Sequence, residues 1–306
     1  MRRRRLKPRR QRVMMVAGRH AALVTNPMTA LRQRRYSGSG GAAKRIAAIT
    51  LILCLGAPLT AARAQDNALD KEVSARRAAQ SKTFTDAQII EGFFKITFGA
   101  EFHTAGRIDR IRKFDAPIRI YVDNRARPDR SQQLNQVIDD IRTHVDKLDI
   151  ALTSDRQSAN VVITLIRDRD LSRTITGLFG REHSRKIQSA LEPQCLAGYQ
   201  KDDTYRITRS EVILVVDVGD FIFYDCAYEE ILQALGPIND DDSVPWSMFN
   251  DDVQMGFFDL YDQHLLNLLY HTRMRPGMTR EEARGVVAEI LPDVRAFVAQ
   301  ANDLKP

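Results

Sequence analysis

YDCAYEEILQALGPINDDDSVPWSMFNDD, Tyr224 to Asp252, is the stretch on which the reading of this 306-residue chain turns. Asp225 is placed to start a helix, and Gly236-Pro237 to stop it. Residues four apart share a helical face, so Glu229 and Gln233 project together. Ala227, Ile231, Ala234 and Leu235 fall on the opposite face, where a core would receive them. Two acidic knots follow, Asn239 to Asp242 and Asn250 to Asp252. A polar pair thus stands above an apolar floor, just before an oxygen-rich reversal.

These residues resemble the active-site helix of the metzincin zinc proteases, H-E-x-x-H-x-x-G-x-x-H followed by a Met-turn. In that alignment the first His falls on Glu229, the general base on Glu230 and the second His on Gln233. The glycine falls on Gly236, the third His on Asn239, and Ser247-Met248-Phe249 sits where the Met-turn belongs. The combination E-E-x-x-Q-A-L-G-x-x-N-D, S-x-F-N-D and L-Y-H-x-R-x-x-P-G-M is similar to a bacterial family of unknown function, DUF2927. That second, more specific resemblance covers roughly Thr85 to Arg284. Together they imply an α+β, zincin-like domain: a mixed sheet of a few strands packed with helices, and a helical C-terminal part.

All three zinc-binding histidines are missing. A catalytic zinc needs three N, S or O ligands and an open position for water. Amide oxygens from Gln233 and Asn239 suit Ca²⁺ or Mg²⁺ better than zinc. No zinc and no other cofactor is therefore expected. Glu229, Gln233, Asn239 and Asp240 form a candidate binding or vestigial site, with Glu230 as the one candidate catalytic residue. The alternative is structural: carboxylates in the first turns of a helix favour its positive end.

Charge separates the chain into two parts. Residues 1–64 hold 15 Lys and Arg and no Asp or Glu, whereas Gln65 onward holds 31 basic against 39 acidic residues, a net of −8. The overall charge of +7 belongs to the leader, which argues against a nucleic-acid binder. Lys44-Arg45, the apolar run Ile46 to Leu59 and Ala62-Arg63-Ala64 have the order of a secretory signal peptide cleaved near Ala64. The run is shorter than the ~20 residues of a membrane span, so no transmembrane helix is expected after cleavage. A start at Met28 would leave residues 1–27 untranslated. The predicted location is periplasmic or secreted. Cys195 and Cys226 remain after cleavage, and two thiols in an exported domain usually pair; two buried free thiols are the alternative.

Residues 65–84 are expected to be a disordered tether, being polar and without periodicity, and residues 85–306 a single domain like DUF2927. Thr85-Asp86 predicts a helix to about Phe98, with Gly99 ending it. Ile118 to Val122 alternates as a strand. Ser131 to Leu148 carries the cleanest helical stripe, and Asn160 to Ile166 is a continuously apolar interior strand. Arg167 to Arg209 is expected to be a long basic loop, able to meet phosphate or an acidic partner but more often simply solvated. Glu211 to Val218 returns to a strand. Phe257 to Tyr270 predicts a helix, and Thr279 with Glu282 caps the next one, which Pro292 should break or kink.

Other chemistry is thin. His264 and His271 lie seven apart, and no pair has H-x-x-x-H spacing. The acidic knots lack EF-hand spacing. The expected role is a non-catalytic, exported recognition or envelope-associated module, its partner an unidentified envelope protein or peptide. One alternative is a metal-dependent, peptidase-like hydrolase using carboxylate and amide ligands with Glu230 as base. Another is a peptide-binding module that uses Glu211 to Val218 as an edge strand.

Overall fold

Strand β4 (Val161–Ile166) holds the sheet together. Its six residues, VVITLI, are all buried, as suits a β-branched strand with neighbours on both sides. The computed structural model describes residues 14–15, 71–99, 109–190, 195–237, 239–250 and 252–304. In it β4 runs parallel to β2 (Ile118–Asn124) on one side and to β6 (Ile207–Val215) on the other. β3 (Ile150–Leu152) lies parallel to β2 at one edge, and β5 (Cys195–Lys201) antiparallel to β6. These five strands form a mixed sheet. A two-residue strand β1 (Met14–Met15) beside β5 completes the order β1-β5-β6-β4-β2-β3. The segment expected to be a signal peptide, and its expected cleavage site, lie outside the described residues.

β6 is therefore an interior strand, flanked by β4 and β5, and not the edge that strand addition would need. Its side chains alternate with the period-two rule. Val212, Leu214 and Val216 enter the main core, while Ile213 and Val215 enter a smaller cluster on the other face.

That smaller cluster explains the segment expected to be a long loop. Asp168–Asp170 form a 3-10 turn, and α4 spans Leu171–Ala190 with a kink where Gly180 adopts φ 80°. Leu171, Ile175 and Phe179 recur every fourth residue and cover Ile166, Leu196, Ile213 and Val215. Arginines and glycines between them hid the stripe. β5, with Gly198 and little β-branching, likewise reads weakly as a strand.

The main core takes residues from the helices of the other face. α2 (Asp86–Thr97) opens with a complete Thr85/Gln88 capping box, and Gly99 beyond its end has φ 133°. α3 (Ser131–His144) stops four residues before Leu148, although Val145 and Leu148 stay buried. α5 (Asp220–Ala234) begins five residues before Asp225, its predicted start. α6 (Leu260–Tyr270) is capped by Asp259, and α7 (Arg280–Ala301) by the expected Thr279/Glu282 box.

Pro292 does not end α7. A mid-helix proline costs ~3 kcal/mol, but Val287, Ile290 and Leu291 before it and Val294 and Val298 after it are all buried. Each such side chain returns ~1.5–3 kcal/mol, so packing wins. Residues 71–79, within the expected tether, form a helix, α1. Arg76 and Arg77 lay their guanidinium groups over Phe221 and Phe257, at 4.5 and 4.9 Å from the ring centroids. Cation–π contacts of this kind need no apolar periodicity, which is why the pattern did not show it.

Candidate functional site

The central helix is not amphipathic in the folded chain. Every residue of α5 from Asp225 to Ala234 is buried, including Glu229 at 5 % exposure and Glu230 and Gln233 at 0 %. A helix buried all round must be covered by elements on each side. Against β5 it is fastened covalently, Cys226 to Cys195, with the two Cα atoms 5.9 Å apart. Against α3 it is held by Tyr228, whose hydroxyl donates to Asp140 Oδ2 at 2.8 Å. It is also tied to the chain at Met255 and Gly256. There Asp225 Oδ1 accepts the backbone N–H groups of Met255 (2.8 Å) and Gly256 (3.1 Å).

At the C-terminal end of α5, Gly236 has φ 146°, and a Cβ there would lie 2.4 Å from the Arg112 carbonyl oxygen. Only glycine turns the chain at that approach. The turn delivers Asn239 to the end of α2 and not back to α5. Asn239 Nδ2 donates to the Lys95 carbonyl at 2.9 Å, and its backbone N–H to Ile96 at 3.2 Å. Arg112, fully buried, donates to the carbonyls of Thr97 (2.9 Å) and Gly99 (3.2 Å). The exposed carbonyl end of α2 is thereby satisfied. Burial lowers the Arg112 pKa, against the raising influence of the Tyr199 hydroxyl.

The family model described as a protein of unknown function, DUF2927, matches residues 86–289, from the first residue of α2 into α7. The chain belongs to the DUF2927 family. No curated protein and no solved structure matches it, so no structural neighbour supports the zincin likeness.

In this DUF2927 chain the sequence-predicted residues are only partly brought together. Gln233 Nε2 donates to Asp240 Oδ1 at 2.8 Å, joining two of them. Asn239 turns away to α2, and Glu229 and Glu230 are both engaged within the buried interior. Among the described residues no group of three His, Cys, Asp or Glu is placed to hold a metal ion. Nor is any helix among them long and apolar enough to cross a membrane.

The acidic knots serve the loop. Asp241 Oδ1 accepts the Ser243 N–H at 2.9 Å, and Asn250 Nδ2 donates to the carbonyls of Asp242 (3.1 Å) and Val244 (3.2 Å). Ser247-Met248, the expected Met-turn, is bound to α6. Asp262 accepts from Ser247 Oγ at 2.6 Å and from the Met248 N–H at 2.7 Å.

Sequence reasoning missed Asp259 and Asp262. Asp259 caps α6 by accepting from the N–H groups of Tyr261 and Asp262. Both carboxyls are buried, at 2 % and 0 % exposure. Burial first, and the neighbouring Asp262 charge second, push the Asp259 pKa well above the usual carboxylate value; burial raises Asp262 as well. Two carboxyls buried this close together favour one shared proton over two charges. The D-x-x-D spacing before an apolar run was the signal available. His264, a turn further on, is held neutral: burial lowers its pKa to about 4, while Nδ1 faces the Leu260 carbonyl at 2.6 Å.

Proposed function

We propose that this DUF2927 chain is an exported, non-catalytic recognition module of the bacterial envelope. One observation carries the non-catalytic part: the polar groups around α5 are spent inside the fold. Asp225 holds Met255 and Gly256, Gln233 holds Asp240, and Asn239 holds α2. A general base must reach a substrate proton directly or through one water, and Glu230 is fully buried. The metal-dependent hydrolase is therefore the weaker alternative.

Export is supported by the basic leader ending in Ala62-Arg63-Ala64, by the acidic balance beyond it, and by the Cys195–Cys226 bridge. Bridges of this kind persist in oxidising compartments. A zincin-like build belongs to the same proposal and rests on the order of helices and strands alone. Its partner would be an envelope component and not a nucleic acid, given the net charge of −8 from Gln65 onward.

The test has two arms. N-terminal sequencing of the envelope-fraction protein should begin at Gln65, and intact residues before Lys44 would refute export. Elemental analysis of protein purified without chelator should find far less than one zinc per chain. Glu230→Gln should leave any biological activity unchanged where it folds; stoichiometric zinc, or a hydrolytic activity lost in that variant, restores the hydrolase.

A further inference from the structure

Strands β2 and β4 end together. Asn124 pairs with Leu165 in register, and Arg125 donates its backbone N–H to the Leu165 carbonyl at 3.0 Å. The segments that leave them, residues 125–130 into α3 and 167–170 into α4, rise side by side from the carboxyl edge of the parallel strands. Ligands of open α/β sheets bind in the crevice outside that edge. Here it holds a cavity of about 440 Å³, within the range of small-molecule sites.

The walls are Arg125, Arg127, Arg167 and Arg169, with Asp129 and Asp170. Four arginines and two aspartates thus line the cavity. Arg127 pairs with Asp129 at 2.9 Å, and Arg169 reaches Asp170 only at 3.9 Å. Arg125 must share Asp123 with Arg156. Arg167 is half-buried; its backbone carbonyl accepts the Asp170 N–H at 2.9 Å, while its guanidinium makes no ion pair or hydrogen bond among the described residues. The contrast with Arg130, one loop away, is direct. Arg130 is paired with Asp220 at 2.5 Å and donates to the Val216 carbonyl.

A partly desolvated cation without a counter-charge is costly, and an anion in the crevice removes the cost. The N-terminus of α3 opens on the same loop, but Asp129 Oδ1 already accepts the Ser131 N–H at 3.0 Å and its hydroxyl at 2.7 Å, so the arginines and not the helix end supply the positive charge. The excess of two positive charges on the walls matches a dianion better than a single carboxylate. Guanidinium forks fit phosphate oxygens in pairs. The lining has little apolar surface beyond Ala126, and the Asn124 amide is bonded to Asp129 and to the Ala126 N–H, so the rest of the ligand must be small and polar.

We propose that this crevice binds a small soluble phosphomonoester, of the phosphorylated polyol or sugar class, with Arg167 as its principal anchor. The inference rests on the recognition proposal and names its ligand chemistry. It is tested on purified protein, so failure of export or the presence of zinc would leave the binding result standing, and failure of binding would leave those results standing.

Calorimetric titration of the mature chain at low ionic strength, with glycerol phosphate and with inorganic phosphate, should show saturable one-to-one binding, and glycerol should show none. Arg167→Gln should weaken it by about tenfold or more, because it removes the charge and one fork. Arg167→Lys, which keeps the charge but loses the fork, should fall between. Arg142→Gln, at an exposed arginine of α3 away from the crevice, should bind as the parent does. Thermal melts of each variant establish folding; should Arg167→Gln fail to fold, Arg169→Gln, an exposed side chain, takes its place. Absence of saturable binding, equal binding by the crevice variant, an equal loss in Arg142→Gln, or binding confined to anionic lipid vesicles would each overturn the proposal.

Discussion

Opening the Cys195–Cys226 bridge should lower the stability of the domain by an amount set mainly by loop length. The bridge spans 31 residues and joins β5 to α5, with both cysteines buried. Closing a loop of that length removes about 12 cal/mol/K of unfolded-chain entropy, or about 3.7 kcal/mol at 25 °C. For a domain of this size each kcal/mol moves Tm by about 2–4 °C, so reduction should lower Tm by about 7–15 °C. Cys195→Ala with Cys226→Ala should fall further, since the lost sulfurs leave methyl-sized voids at ~1 kcal/mol each. Melts followed by circular dichroism, with and without reductant, measure the first effect, and the double variant measures the second. Protein made without its leader in a reducing cytoplasm should melt at the reduced temperature. The reasoning fails if the denatured, unreduced protein labels at both thiols. It also fails if reduction shifts Tm by less than about 2 °C.

Three other substitutions probe the packing around α5 and α6. At Gly92 in α2, an added Cβ would lie 2.0 Å from the Tyr261 hydroxyl, which donates to the Gln88 carbonyl at 2.7 Å. The helical gain of ~1 kcal/mol for Gly92→Ala should lose to overpacking and the broken bond, for a net loss of ~1–3 kcal/mol; chemical denaturation that shows a gain would refute the contact. Because the Asp259 pKa is raised in the folded state, its contribution is full below the ordinary 3.8 and is lost as pH rises through the folded value. Asp259→Asn keeps a good cap and should gain on the parent as pH rises from about 4 to 7; a difference flat with pH would count against the shared proton. His264 has the opposite sign, its pKa depressed to about 4, so its contribution is present above about 6.5 and lost as pH falls toward the folded value, on the order of 3 kcal/mol in all. His264→Gln should flatten that acid limb of the Tm profile, and an unchanged limb would show that other groups cause it.

The strands with neighbours on both sides were legible where burial on both faces left an uninterrupted apolar run, as in Val161 to Ile166. The capping boxes at Thr85 and Thr279 were legible too, because a cap is local chemistry. The family was legible because its marks are spread from α2 to α7. What was hidden depends on tertiary partners. α4 exposes arginines on one side and buries Leu171, Ile175 and Phe179 on the other, yet two glycines and the charges break the pattern. The 3.6-residue period also misassigned α5, since it treats Glu229 and Gln233 as a wet face. No periodicity rule can foresee a second layer of chain over that face. Asp favours a helix start, which places the start at Asp225 in the sequence; in the fold Asp225 lies inside the helix.

Oxygen-rich loops invite metal-site readings because carboxylate and amide oxygens are ligands. The same oxygens are also the best acceptors for backbone N–H groups that a buried loop would otherwise leave unpaired. Between α5 and α6 the backbone amides of Met248, Met255 and Gly256 end on Asp262 and Asp225. The carbonyls of Asp242 and Val244 end on Asn250. A chain that covers a helix without forming helix or sheet needs such side chains in proportion to its buried backbone. The acidic richness from Asn239 to Asp262 is therefore what a covering loop requires. If the loop were held by a metal, removing the metal would open it; held by Asp225 and Asp262, it stays closed under chelation and loosens when either carboxylate is replaced.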